Sequence, residues 1–314
     1  IAKDKILKTA ATDWRLFMIT ITGHTKLTGL LGSPVDHSIS PLMHNEAFHL
    51  LSLDYAYLCF DVTENTLPDA VNGLKACGIR GFNLTMPCKN RIVELLDELS
   101  PSARLIGAVN TVVNEKGRLI GHNTDGVGYM RSVKDAGHNI IGKTMTLMGA
   151  GGAATAICAQ AALDGVSSIH VFARRTSRFW DRTQALADTI NRTLPCRVLL
   201  HENEDLNALK NAVSESAILV NATSVGMAPN PEASIITDTS LFRPELIVSD
   251  VIYNPRKTRL LQEAEKAGCP VFNGMYMLLY QGAEAFRLLQ VKKCPQKQLK
   301  KNFSPTKSAL QFFI

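Results

Sequence analysis

Apolar residues in this chain come in short runs that break at glycine, proline or small polar residues, and longer stretches of helical character separate the runs. Lys26-Leu27-Thr28-Gly29-Leu30-Leu31-Gly32 is the first run, ended by Ser33-Pro34. A helix is expected from about Pro41, because proline is tolerated in a first turn. Tyr55 to Val62 predicts a second strand, Thr66 to Ala76 a helix, and Gly81 to Met86 a third strand running into Pro87-Cys88-Lys89. A helix over Arg91 to Leu99 and a strand over Gly107 to Val113 follow. A turn through Asn114-Glu115-Lys116-Gly117 and a return strand from Leu119 to Gly126 close the first half. Strands alternating with helices predict a mostly parallel sheet.

The second half repeats that alternation. Met145-Thr146-Leu147-Met148 ends in Gly149-Ala150-Gly151-Gly152-Ala153-Ala154, which opens into the alanine-rich stretch Thr155 to Leu163. Ser168 to Phe172, Ser216 to Ser224, Leu246 to Tyr253 and Pro270 to Gly274 read as further strands, and Met277 to Leu289 as a closing helix carrying Gln281. The glycines fall as G-x-G-x-x-A. Gly149 permits the tight turn, Gly151 lets backbone approach a pyrophosphate, and Ala154 allows close packing of helix on strand. The helix N-terminus would then face phosphates with free N–H groups and the positive end of its dipole. Plain packing of a strand on a helix also uses glycine turns, but the next strand arrives at the spacing a βαβ unit requires, which favours a dinucleotide site.

The residues after that second strand bear on which dinucleotide. A site for NAD usually carries Asp or Glu about 20 residues past the glycines, whereas NADP calls for arginine near its 2′-phosphate. Here the chain reads Ala173-Arg174-Arg175-Thr176-Ser177-Arg178, with no carboxylate before Asp181. The planar guanidinium donates in pairs and stays charged, so NADP is favoured over NAD, the alternative being a solvated basic loop.

Polar residues gather where the apolar runs of the first half stop: Asn83, Thr85, Lys89, Asn110, Asn123, Thr124 and Asp125. Open α/β sheets bind ligands at the carboxyl ends of their strands. Turn chemistry accounts for Asn123 and Asp125 by themselves, but not for Lys89 directly after Pro87. Ser38 and Ser40, just ahead of the first helix, can trap a carboxylate, the alternative for either serine being a helix cap.

At 314 residues, 46% of them hydrophobic, the chain can bury two ordinary cores, and the central position of the glycine turn favours two domains. Much of the net charge of +6 comes from Lys292, Lys293, Lys297, Lys300, Lys301 and Lys307. That stretch has no interleaved aromatics in its basic part and reads as a solvated tail, not a nucleic-acid surface. The seven cysteines form no C-x-x-C pair, which suits thiols in a cytoplasmic protein better than a disulfide framework or a zinc site. No apolar run has the length of a membrane span. Residues before Met18 show no signal-peptide pattern and are set aside from the fold.

The ordered motifs His37-Ser38-Ile39-Ser40-Pro41, Asn83-Leu84-Thr85-Met86-Pro87-Cys88-Lys89, Gly107-Ala108-Val109-Asn110-Thr111, Asn123-Thr124-Asp125-Gly126, the glycine turn, Asn221-Ala222-Thr223-Ser224 and Tyr253-Asn254-Pro255 resemble those of shikimate dehydrogenases. The likeness is greatest to the quinate/shikimate dehydrogenase branch and covers about residues 25 to 290. It implies an α/β chain of two domains: a substrate domain over 25–126, with a C-terminal helix over 276–290 packing back on it, and a Rossmann-type NAD(P)-binding domain over 127–275. Residues 1–24 would be an extension and 291–314 a basic tail. Crossings between the domains are expected over 126–139 and 274–277. The implied reaction is reversible reduction of 3-dehydroshikimate to shikimate in aromatic amino-acid biosynthesis, with NADP or NAD and no metal, in a monomer or homodimer.

By the same resemblance, Lys89 is catalytic with Asp125 as its partner, and Ser38 and Ser40 hold the substrate carboxylate. Asn83, Thr85, Asn110, Asp125 and Gln281 hold ring hydroxyls, and Tyr253 helps to close the pocket. Gly149, Ala150, Gly151, Gly152, Ala153, Arg174 and Arg175 hold the cofactor, with Thr223, Val251 and Gly274 near its nicotinamide. Lys89 is a cation able to stabilise a developing alkoxide and give up a proton. From the residues alone, Lys89 and Asp125 also read as a structural ion pair. Two departures stand out: Ala173 replaces an Asn frequent before the first arginine, and Tyr276 stands where the family tends to have glycine. Quinate is the alternative substrate. A methylenetetrahydrofolate dehydrogenase would not need the paired serines, and a nucleotide-dependent sensor would not need Lys89 and Asp125.

Overall fold

The computed structural model describes residues 21–290 together with 295 and 296. The lysines of the expected basic tail and residues 1–20 of the expected extension lie outside the described residues. In chain order the elements are β1 (Lys26–Gly32), α1 (Ser40–Leu50), β2 (Tyr55–Asp61), α2 (Leu67–Ala76), β3 (Gly81–Leu84), α3 (Cys88–Arg91), β4 (Glu98–Leu99), α4 (Pro101–Ile106), β5 (Thr111–Glu115), β6 (Arg118–His122) and α5 (Asp125–Asp135). They continue as β7 (Thr144–Met148), α6 (Gly152–Asp164), β8 (Ser168–Ala173), α7 (Trp180–Thr193), β9 (Arg197–Glu202), α8 (Leu206–Glu215), β10 (Ile218–Asn221), β11 (Ile247–Asp250), α9 (Arg259–Lys266), β12 (Val271–Phe272) and α10 (Met275–Gln290).

The chain divides into two compact units. One takes the described parts of Ile1–Glu98, Thr111–Ile120 and Ala285–Ile314, and the other takes Leu99–Asn110 and Gly121–Glu284. A six-stranded sheet runs in the order β2-β1-β3-β5-β6-β4, parallel across its first three strands and antiparallel from β3 to β5. The second unit holds a six-stranded sheet in the order β12-β11-β10-β7-β8-β9, with parallel pairing throughout. Its strand order reverses between β7 and β10, the switch point at which doubly wound sheets open a crevice at their carboxyl ends.

Three expectations need correction. The helix over 91–99 is not formed: a short 3-10 turn, Ile92–Leu95, follows α3, and the chain then joins the sheet edge as β4. The cause is β6, whose Leu119 carbonyl accepts from the Asp97 N–H at 3.0 Å while the Asp97 carboxylate accepts from the Leu119 N–H at 2.7 Å. The strand over 107–113 starts only at Thr111, because Gly107, at φ 65°, caps α4. The signals for α4 are Ser100, which accepts from the Ala103 N–H, Pro101 in the first turn and left-handed Gly107 at the end. The return strand stops at His122, and α5 begins three residues later at Asp125. The closing helix, expected over 277–289, spans Met275–Gln290 as α10.

The core of the second unit is built around α6, whose alanines let its neighbours approach closely. Ala154, Ala156, Ala159 and Ala161 are buried to within 1%. A Cβ on Gly126 would fall 2.3 Å from the Ala156 carbonyl oxygen, and one on Gly128 would fall 2.6 Å from the Gln281 backbone nitrogen. Small residues on α5 are therefore what brings α6 and α10 against it. The core of the first unit includes His44 of α1, 2% exposed and stacked on the Tyr57 ring at 4.3 Å with planes 7° apart. Phe286 lies on the same cluster. Burial lowers the His44 imidazole from 6.5 to about 3, so it folds as the neutral ring.

Two predictions follow from this packing. Gly126→Ala will destabilise the protein by about 1–3 kcal/mol through overpacking, whereas Gly73→Ala, in α2 with no atom near the added carbon, will stabilise it by about 0.4–1 kcal/mol. Urea unfolding of both variants checks the signs. For His44 the folded value lies below the unfolded one, so its contribution is complete above pH 6.5. It is lost as acid protonates the unfolded chain first, by at most about 1.4 kcal/mol per pH unit. The wild type should therefore lose stability between pH 7 and pH 5 more steeply than His44→Gln, and parallel pH profiles would refute this assignment.

Candidate active site

In the first unit the polar side chains are positioned by the ends of β1, β2 and β3. The helix cap of α1 is Ile39, whose side chain makes no capping bond, and the first N–H of the helix, that of Ser40, is taken by Ser38. The Ser38 hydroxyl accepts from the Ser40 N–H at 3.2 Å and hydrogen-bonds with the Cys59 thiol. The Ser40 hydroxyl hydrogen-bonds with the Tyr57 phenol. Tyr57, 1% exposed, donates to the Asn83 carbonyl oxygen at 2.8 Å, and the Asn83 amide donates to the Thr111 hydroxyl at 2.9 Å. Ser40, Tyr57, Asn83 and Thr111 thus form one chain of hydrogen bonds. Burial raises both the Tyr57 phenol and the Cys59 thiol above their ordinary values, so both are neutral donors. Thr85 follows β3, where the bare Cα of Gly32 leaves it room: an added Cβ would fall 2.3 Å from its methyl. Lys89, half-buried, lies on α3.

The second unit carries Asn110 and Asp125 together. Asn110, 2% exposed, donates to the Thr124 hydroxyl at 3.0 Å and to the Asp125 carboxylate at 2.8 Å, and its carbonyl oxygen accepts from the Thr124 N–H at 2.9 Å. Asp125 is the first residue of α5, where the helix dipole favours negative charge. Gln281 of α10 donates to the Leu278 carbonyl at 3.0 Å, and Tyr253 is 44% exposed.

The expected cofactor residues lie at the carboxyl ends of the second sheet. Gly149 has φ 118°, and a Cβ there would fall 2.9 Å from the Ala222 carbonyl oxygen, so glycine is required twice over. Gly151 is the extended cap of α6, and a Cβ on it or on Gly152 would meet nothing within 4 Å. Bare backbone therefore opens into free space at the N-terminus of a 13-residue helix, which fits a pyrophosphate. Arg174 and Arg175 are exposed directly after β8. Thr223 is fixed by Asn221, whose carbonyl oxygen accepts from its N–H at 3.0 Å and from its hydroxyl at 2.7 Å. The Asn221 amide in turn donates to buried Asp250 at 3.1 Å. Asp250 also accepts from Thr258 at 2.8 Å and from the Ile252 N–H at 2.9 Å. Burial raises its carboxyl, and these three donors oppose that. Val251 follows it, and Gly274 packs so closely that a Cβ would fall 1.9 Å from the Val251 carbonyl oxygen.

The sequence reading missed Tyr57, Thr111 and Asp250. For Tyr57 the available signal is the alternation Tyr55-Ala56-Tyr57 in a strand, which does not reveal a partner 26 residues away. Among the described residues no cluster of His, Cys, Asp or Glu suits a metal ion, and no helix is long and apolar enough to cross a membrane.

Residues 30–112 match the family model of the shikimate dehydrogenase substrate-binding domain. The chain is 52% identical over 280 residues to the NADP(+) shikimate dehydrogenase of Listeria monocytogenes, an alignment covering 89% of this chain and 96% of the relative. A crystal structure of shikimate 5-dehydrogenase from Listeria monocytogenes, in complex with shikimate and NAD, superposes with a TM-score of 0.89 at 51% identity, covering 91% of this chain and 98% of that one. The Thermus thermophilus enzyme in complex with NADP(H) and shikimate gives a TM-score of 0.75 at 35% identity, over 88% and 98% of the two chains. Paired serines at the start of the first helix, a glycine turn at the switch of a parallel sheet, and half of all residues shared along nearly the full length of a relative place this chain in the shikimate dehydrogenase family.

Proposed function

We propose that this protein catalyses the reversible reduction of 3-dehydroshikimate to shikimate with NADP, as a step of aromatic amino-acid biosynthesis. Its 52% identity to an NADP(+) shikimate dehydrogenase carries the reading. The hydroxyls of Ser38 and Ser40 and the Tyr57–Asn83–Thr111 chain support it, because they offer neutral donors and acceptors suited to a carboxylate and ring hydroxyls. The protein acts in the cytoplasm, in keeping with its six described cysteines, all of which are free thiols.

Ser38 and Ser40 bind the carboxylate through hydroxyls whose own partners hold them in place. Asn83, Thr85, Asn110 and Gln281 orient the ring, and Tyr253 covers it. Gly149, Ala150, Gly151, Gly152 and Ala153 bind the pyrophosphate, Arg174 and Arg175 the 2′-phosphate end, and Thr223, Val251 and Gly274 border the nicotinamide. The reduced nicotinamide, when bound, supplies hydride to the carbonyl carbon. Lys89 gives its proton to the carbonyl oxygen, so that the alkoxide never develops unshielded, and Asp125 is its carboxylate partner. In the reverse direction Lys89 takes that proton back.

Oxidation of shikimate and of quinate, each with NADP+ and with NAD+, tests the reading through the appearance of reduced nicotinamide. Shikimate with NADP+ should dominate, and silence in all four would overturn it. Lys89→Ala should lower kcat by about 10²–10⁴-fold, the range typical of a lost general acid, with a much smaller rise in KM. A rise in KM alone would make Lys89 a binding residue.

A further inference from the structure

The loop after β8 contains three arginines within five residues, Arg174, Arg175 and Arg178. The structure treats them differently. The Arg174 carbonyl accepts from the Ser177 N–H at 2.9 Å, which closes a turn with Arg175 at its first corner. The Arg175 guanidinium lies over the indole of Trp180, 4.8 Å from the ring centroid. Trp180 is itself fixed: it is 9% exposed, donates its backbone N–H to Ser177, and packs in one apolar cluster with Ala150 of the glycine turn and Ala173 at the end of β8. The indole thus packs with the glycine turn, and a cation lies over its ring. Arg178 stacks instead on its neighbour Phe179, at 4.7 Å.

We propose that Trp180 is a positioning residue for the cofactor's adenosine end, holding Arg175 as the arginine that tells NADP from NAD. The inference rests on the NADP reading given above and adds to it a residue and an order among the arginines. An exposed arginine otherwise samples many rotamers and loses that freedom when it binds a phosphate. Stacking on a fixed indole removes part of the loss beforehand and leaves the edge of the guanidinium, with its paired N–H groups, free for the phosphate oxygens. Because Trp180 and the glycine turn share one cluster, the guanidinium is registered to the same frame as the pyrophosphate site.

Calorimetric titration of the full chain with 2′,5′-ADP and with 5′-AMP separates recognition of the 2′-phosphate from binding of the rest of the nucleoside. Arg175→Ala should weaken 2′,5′-ADP by about ten- to a hundredfold, the loss expected for charge-assisted hydrogen bonds, and 5′-AMP by less than about twofold. Trp180→Leu keeps an apolar filler but no ring, and should weaken 2′,5′-ADP alone by about two- to tenfold. Trp180→Phe should restore most of that. The ratio of KM for NADP+ to KM for NAD+ should move in the same order. Equal losses of both ligands in Trp180→Leu would reduce the tryptophan to packing and overturn the proposal. So would a loss of discrimination in Arg174→Ala or Arg178→Ala that Arg175→Ala does not show. A wild type that binds 5′-AMP as tightly as 2′,5′-ADP would remove the NADP reading itself, and the proposal with it.

Discussion

The cofactor half of this protein depends on one close approach, that of the Gly149 Cα to the Ala222 carbonyl at the ends of β7 and β10. Any side chain at Gly149 would push those two strand ends apart, and its φ of 118° adds a conformational cost for any other residue. With the approach in place, the chain leaves β7 as bare backbone and enters α6 at Gly152, so the first free N–H groups of that helix point where the strand ends. The same contact sets the loop after β10, where Asn221 reads out its surroundings with every atom of its amide: Thr223 on one side, Asp250 and the Val225 carbonyl on the other. Burying Asp250 would be costly without partners, and of the three donors it finds, Asn221 ties the end of β11 to that of β10 while Thr258 ties it to the start of α9.

The first unit solves a different problem. Its strands carry polar side chains inward, and polar groups buried among apolar residues must be paired even when no ligand is bound. Tyr57, Asn83 and Thr111 meet this need by pairing with one another across β2, β3 and β5. His44 stacked on Tyr57 keeps the phenol from swinging, at the cost of a ring nitrogen with no protein partner.

Much of this was legible in the sequence where the relevant physics is local. The glycine turn, the small helix behind it and the arginines after the next strand are neighbours in the chain, and their spacing carries their meaning. The short helix α4 was also written locally, in Ser100, Pro101 and Gly107, but the apolar run after it drew the strand too far upstream. The failure over 91–99 has another origin: Leu95 and Leu96 look helical, and only the distant β6 backbone decides otherwise. Tyr57 and Trp180 lie beyond sequence reading for the same reason. Each matters through a partner brought close by folding, Asn83 in one case and Ala150 in the other.

The serine pair ahead of α1 and the arginines after β8 sit in different settings, and burial separates them. The serine site lies among residues whose ionisable neighbours, Tyr57 and Cys59, are held neutral by burial. An arginine there would carry a desolvation cost whenever the pocket stood empty, whereas a hydroxyl carries little and can rotate to donate. In the loop after β8 the arginines are exposed, so their charge costs little to keep, and water competes for any anion they meet. In that setting a bare charge discriminates weakly, and what adds selectivity is geometry fixed in advance. A guanidinium lying on an indole that is itself wedged against the glycine turn supplies that geometry without burying the charge.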